Sequence, residues 1–229
     1  MLFFATNIND HAYVLNYWIT RENWTQAVEA LKFQTSPEIF YKSASALLAH
    51  VPMDTVSIWI QQQKNLDPTK LTPALLHYNS AVTIPLNQNQ AVRYLIYAID
   101  QLGNKHSSVH NALISIYASH SGSTEQFLLN FLKSQPTPGY YDVDFALRLC
   151  LQFHRIESAV YIYSAMDLYE QAVELSLEND DVDLAIQIAQ VPEDDVARTK
   201  KLWLSIVQKV LCQPDGMKRS SLPRRVVVH

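Results

Sequence analysis

The chain has 229 residues, 48% of them hydrophobic, with 4 glycines, 2 cysteines and a formal net charge of -4. No apolar run approaches the roughly 20 residues needed to span a bilayer, and the opening residues Met1 to Ala5 lack the basic residues and length of a secretory signal. Cys150 and Cys212 form no CxxC pair; Cys150 lies on an apolar face and reads as a small buried hydrophobe, with a reducing, cytoplasmic compartment as the expectation.

Taken in order, the chain reads as helices. Residues 9 to 19 form the first, and the second places Trp24, Ala27 and Val28 at i, i+3, i+4 on one face. Ser36-Pro37-Glu38 predicts a helix start, with Ser36 as cap and Pro37 in the first helical position, leading into Phe40, Leu47 and Leu48. Pro52 opens the next, with Val56, Trp59 and Ile60 on one face. Asp67-Pro68 and Thr72-Pro73 predict two closely spaced starts before Leu75 and Leu76, and residues 79 to 89 a loop. The helical period returns at Gln90 with Ala91, Tyr94, Leu95, Ala98 and Ile99, closed by Leu102-Gly103. Val109, Leu113, Ile116 and Tyr117 mark a further helix ending near Gly122. Ser123-Thr124-Glu125-Gln126 reads as a capping box for a helix carrying Phe127, Leu128, Phe131 and Leu132, followed by a loop from Gln135 to Gly139. Helices are expected to end at Gly103, Gly122 and Gly139, while Gly216 falls in the tail.

Residues 142 to 192 carry the most regular signal, introduced by Asp142 and Asp144, acids suited to a helix N-terminus. Three triads recur there, Ile156/Ala159/Val160, Tyr169/Ala172/Val173 and Val182/Ala185/Ile186, at an interval of 13 residues. In one unbroken helix that interval turns the face by about 220°, so successive triads would point in nearly opposite directions. The chain must therefore break between triads, at polar segments such as Phe153 to Arg155 and Asn179 to Asp181, and pack short helices antiparallel. That is the pattern of an all-α fold, an α-solenoid, in which each small Ala lets the facing helix approach. After Pro192 one longer amphipathic helix carries Val196, Leu202, Trp203, Ile206, Val207 and Val210. The expected organisation is a solenoid over residues 1–211 and a disordered basic tail over 212–229.

Charge is segregated along the chain. Residues 142 to 195 hold 13 acidic and 2 basic side chains, and residues 196 to 229 hold 1 acidic and 8 basic. The acidic block reads either as the solvated face of amphipathic helices or as a docking surface for a basic partner.

The segments NWTQAVEALKF, PEIFYKSASALLAHVP, PALLHYN, QAVRYLIYAI, DFALRLC, LYEQAVELSLENDDVDLA and KKLWLSIVQKV, in that order, resemble the clathrin-heavy-chain-repeat region of the vacuolar protein sorting-associated protein 18 family over residues 2 to 211. The resemblance implies a non-catalytic scaffold of the class C core of the HOPS and CORVET complexes, tethering late endosomes, lysosomes or vacuoles before fusion. It implies other class C subunits, SNARE regulators and Rab proteins as partners, and a peripheral place on those membranes. A clathrin-type coat scaffold is the alternative. Family members also carry a β-propeller and a cysteine-rich RING element; with no CxxC or Cys/His cluster in this sequence, the zinc site and any linked ubiquitin-ligase activity do not carry over.

No cofactor is expected, because phosphate-loop, GxSxG and HExxH patterns are missing. The carboxylate pairs Asp180/Asp181 and Asp194/Asp195 sit at predicted turns and helix starts, where capping explains them. His106 and His110 are spaced i, i+4, with His120 beyond, and read as polar histidines at a helix start rather than as metal ligands. The tail residues Lys218, Arg219, Arg224 and Arg225 lack the interleaved aromatics of a nucleic-acid-binding segment, and no nucleic-acid partner is expected.

Overall fold

A computed structural model of the protein describes residues 11–62, 65–120, 125–136, 139–192 and 195–212. The expected helix end at Gly122, Ser123 and Thr124 of the capping box, Asp194, Gly216 and the tail with its basic residues lie outside the described residues. Among the described residues the chain is all-α. Its helices are α1 His11–Thr20, α2 Trp24–Lys32, α3 Pro37–His50, α4 Pro52–Gln61, α5 Pro68–Ala81, α6 Gln90–Asp100 and α7 Ser107–Ser119. They continue with α8 Glu125–Ser134, α9 Val143–Gln152, α10 Ile156–Ala165, α11 Tyr169–Glu178, α12 Val182–Ala189 and α13 Val196–Cys212. The described residues divide into two compact units, the first within Met1–Thr124 and Pro138–Ala146, the second within Glu125–Thr137 and Leu147–His229.

In the first unit each helix rests on its sequence neighbours: α1 on α2 and α3, α2 on α3 and α4, α3 on α4 and α5, and α5 on α6 and α7. Contact with the next helix and the next but one is the arrangement of stacked helical hairpins. Trp59 and Tyr94, each 1% exposed, meet edge-on with ring centroids 5.4 Å apart at its centre. Proline opens α3, α4 and α5, where its missing amide forfeits no intrahelical bond. Asn89 caps α6, its side chain accepting from the amides of Ala91 and Val92. At the other end of α6, Gly103 takes a left-handed φ of 63°.

Three local readings differ from the structure. Pro68 and Pro73 do not open two helices; Pro73 lies inside α5. An interior proline costs about 3 kcal/mol, but breaking α5 there would divide the continuous buried face of Leu71, Ala74, Leu75 and Tyr78, and burial of that face prevails. The loop expected from residue 79 starts only after Ala81 and contains a short 3-10 turn at Leu86–Gln88. Ser36 occupies the cap position of α3 without a side-chain hydrogen bond, so Pro37 alone carries that start.

The second unit stacks in the same way: α8 packs on α10, α10 on α11, α11 on α12 and α13, and α12 on α13. Its core gathers Val160, Ala172, Val173, Leu177, Ala185, Ile188, Ala189, Leu202 and Ile206. In α8 the buried face is Leu128, Leu129 and Leu132, while Phe127 is 50% exposed. Cys150 is fully buried on α9, where desolvation pushes its thiol up to about 12.

Candidate functional site

The repeated triads open their helices. Trp24, Ile156, Tyr169 and Val182 are the first residues of α2, α10, α11 and α12, and all four are half-buried. The triad alanines Ala27, Ala159, Ala172 and Ala185 are fully buried. Val28, Val160 and Val173 are buried beside them, whereas Ile186 is only half-buried and α12 turns Ile188 and Ala189 inward instead. Trp24 stacks on His50 with centroids 3.9 Å apart, and the Arg198 guanidinium lies 5.9 Å from the Tyr169 ring.

Two residues before each bulky triad member the backbone turns left-handed without glycine, at Glu22, His154, Asp167 and Asp180 with φ between 53° and 59°. The residue that follows is the hinge of the repeat. Its amide reaches back five residues, as in Asn23 to Trp18 (3.0 Å), Arg155 to Cys150 (2.7 Å), Leu168 to Tyr163 (2.9 Å) and Asp181 to Ser176 (2.9 Å), the bond that closes a Schellman turn. Its carbonyl accepts the first bond of the next helix from the triad alanine, at 3.0 Å for Ala27 and Ala159, 3.1 Å for Ala172 and 3.2 Å for Ala185. One residue thus ends one helix and starts the next, which fixes the hairpin with no free backbone between. Sequence reasoning placed breaks at Phe153 to Arg155 and Asn179 to Asp181 but not their left-handed residue; the available signal was the fixed place of Glu22, His154, Asp167 and Asp180 before each triad, three of them His or Asp, which tolerate that conformation.

The carboxylate pairs divide their work. Asp181 caps α12 by accepting from the Leu184 amide at 2.9 Å, Asp195 caps α13 through the Arg198 amide at 3.0 Å, and Asp180 supplies the left-handed turn. The histidines are held by backbone carbonyls. His110 is buried and its Nε2–H donates to the Asn104 carbonyl at 2.9 Å; His120 Nε2–H donates to the Ile84 carbonyl at 3.0 Å. His106 is exposed at the α7 cap, its Nδ1 3.2 Å from the Ser108 hydroxyl. So His110 sits in the first turn of α7 as expected, but as a buried core histidine. Among the described residues no three His, Cys, Asp or Glu side chains gather to hold a metal ion.

The second unit holds an open groove of about 660 Å³ lined by residues of α8, α10 and α12 and by Asp181 and Val191 at the two ends of α12. Leu129, Val160, Leu184 and Ile188 supply apolar wall, and Glu157, Asp181 and Asp183 supply carboxylates. Lys133 contributes one cation and lies 6.0 Å from the Tyr161 ring. Beside this site Glu125, on α8, accepts from the Ser158 amide at 2.6 Å and so caps α10 from another helix. Desolvation is the main cause that raises the Glu125 carboxyl above its ordinary pKa, opposed by that hydrogen bond. No described helix is long and apolar enough to cross a membrane.

Comparison with known proteins places this geometry. The family model described as VPS18, alpha-solenoid domain, second half, matches residues 11–211. The vacuolar membrane protein pep3 of Schizosaccharomyces pombe is 44% identical over 220 residues, covering 96% of this chain and 24% of that protein. The vacuolar protein sorting-associated protein 18 homolog of Danio rerio is 33% identical over 220 residues, covering 96% and 22%, and the vacuolar sorting protein 18 of Arabidopsis thaliana 32% identical over 234 residues, covering 99% and 23%. The chain thus spans less than a quarter of the length of these relatives.

Proposed function

The chain belongs to the VPS18 family through the second half of its α-solenoid domain, and from that premise we propose that it is a non-catalytic scaffold in vacuolar or endolysosomal membrane trafficking. The family match along nearly the whole set of stacked helices carries this reading, and the names of the relatives, a vacuolar membrane protein and vacuolar sorting proteins, supply its setting. The fold suits the task physically. Stacked hairpins present long surfaces of exposed side chains on a backbone whose hydrogen bonds are closed within the turns. Asp181 and Asp195, singled out at a turn and a helix start, cap α12 and α13.

The finer reading is a tethering subunit of HOPS or CORVET type. Its partners would be other class C subunits, SNARE regulators and Rab proteins, and its place peripheral, on the late endosomal, lysosomal or vacuolar membrane. Copurification of the tagged full chain from cells, with partners identified by mass spectrometry and Ala172→Asp as a fold-disrupted control, tests it. Class C subunits recovered with the native chain and lost with the control are the expected result. Recovery of coat components instead would move the assignment to a clathrin-type scaffold, and recovery of neither would refute the scaffold role of this segment.

A further inference from the structure

The groove of the second unit joins an apolar floor to an acidic wall, and its chemistry selects an occupant. Val160 and Ile188 belong to the core yet border the groove, and Val191 stands at its rim 54% exposed. Glu157 and Asp183, both exposed in the first turns of α10 and α12, are ion-paired with no described residue. The volume of about 660 Å³ accommodates several side chains at once.

We propose that this groove seats an amphipathic helix of a protein partner, its apolar residues on Leu184 and Val191 and its lysines or arginines against Glu157 and Asp183. A helix is favoured over an extended peptide because the groove walls are themselves helices, whose backbone groups are already bonded along the helix. An extended segment would find no edge to pair with, while a helix satisfies its own amides. A basic helix is favoured because the carboxylates gain a partner on binding, and the block from residue 142 to 195, with 13 acidic and 2 basic side chains, draws cations toward it. The same carboxylates repel an anionic lipid surface, which argues for protein rather than membrane. The inference deepens the scaffold reading and rests on it for the partner's setting, while its geometry stands on the groove alone.

The test is fluorescence anisotropy of the full chain with a labelled peptide of about 14 residues, leucines at i, i+3, i+4, i+7 and lysines on the flanks. A scrambled peptide of the same composition serves as the control. The amphipathic peptide should bind at least about tenfold more tightly than the scrambled one, and its affinity should fall by a similar factor in Glu157→Gln/Asp183→Asn and, independently, in Val191→Gln. These exposed positions leave the core intact, and an unchanged circular dichroism spectrum verifies this. Equal affinity for both peptides, or no loss in either variant, would overturn the proposal. Tighter peptide binding by Arg224→Glu/Arg225→Glu would assign the groove to the chain's own basic tail and overturn it as well. Loss of the peptide interaction with class C subunits still copurifying would remove the groove and leave the scaffold reading standing; intact peptide binding without those subunits would do the reverse.

Discussion

Glu125 and Ser158, 33 residues apart, are joined by a hydrogen bond of 2.6 Å from the Ser158 amide to the Glu125 carboxylate. The first residue of α8 therefore caps the first turn of α10, a site where that helix has no side-chain cap of its own. Glu125→Ala leaves the amide without its acceptor and is expected to cost about 1 to 2 kcal/mol, read as a fall in the urea midpoint.

The same carboxyl is raised above its ordinary pKa, chiefly by desolvation. A group bound more tightly to its proton in the folded state stabilises below its unfolded pKa and loses that contribution as pH rises through the folded one. Glu125→Gln keeps an acceptor for Ser158 and removes the titration. Relative to the native chain its stability should improve as pH is raised from about 4 toward 7, measured by thermal melts across that window. A constant difference at all pH values would refute the assignment.

Ala172 is fully buried among Val160, Val173, Leu177 and Ala185. Ala172→Asp introduces extra volume and an unpaired charge together, with an expected loss on the order of 2 to 4 kcal/mol. Far-ultraviolet circular dichroism should show a clear drop in the melting midpoint, and an unmoved midpoint would refute this placement.

His154 and Gly103 share a left-handed φ, 53° and 63°, but only one of them carries a side chain. Gly103→Ala meets open space, so its expected loss of about 1 kcal/mol comes from backbone conformation alone. His154→Gly relieves the corresponding strain and should raise the midpoint by a similar amount, whereas His154→Val should lower it. Opposite signs for the two glycine exchanges in chemical denaturation are the criterion.

Cys150 is buried with its thiol pushed up to about 12, so in a Cys212→Ser background a maleimide reagent at pH 8 should leave the folded chain unlabelled. Labelling should appear only in urea. Rapid modification without denaturant would show that the core of the second unit opens at α9.

The sequence made the repeat legible because burial repeats with it: a half-buried bulky residue, a buried Ala and an apolar partner follow at a 13-residue interval from Ile156 to Val182. Prolines at Pro37, Pro52 and Pro68 marked starts correctly, since a missing amide has a local consequence. Pro73 misled for the converse reason: whether a helix tolerates it depends on Leu71, Leu75 and Tyr78 being buried by other helices. Phe127 shows the limit of composition, as aromatic character does not decide which side of α8 meets α10. The Glu125 cap and the groove lined by α8, α10 and α12 arise from residues brought together across the chain, and no local spacing encodes them.

The hinge turns have one more implication. Each is closed by a main-chain bond, from the amides of Asn23, Arg155, Leu168 and Asp181, so the turn's closure does not depend on which side chain the left-handed residue carries. Glu22, His154, Asp167 and Asp180 are exposed and already differ in chemistry and shape. At each of these turns evolution can rewrite the electrostatic character of the surface while the hairpin beneath keeps its form. Drift there would change which molecules are drawn to the protein long before it changed whether the protein folds.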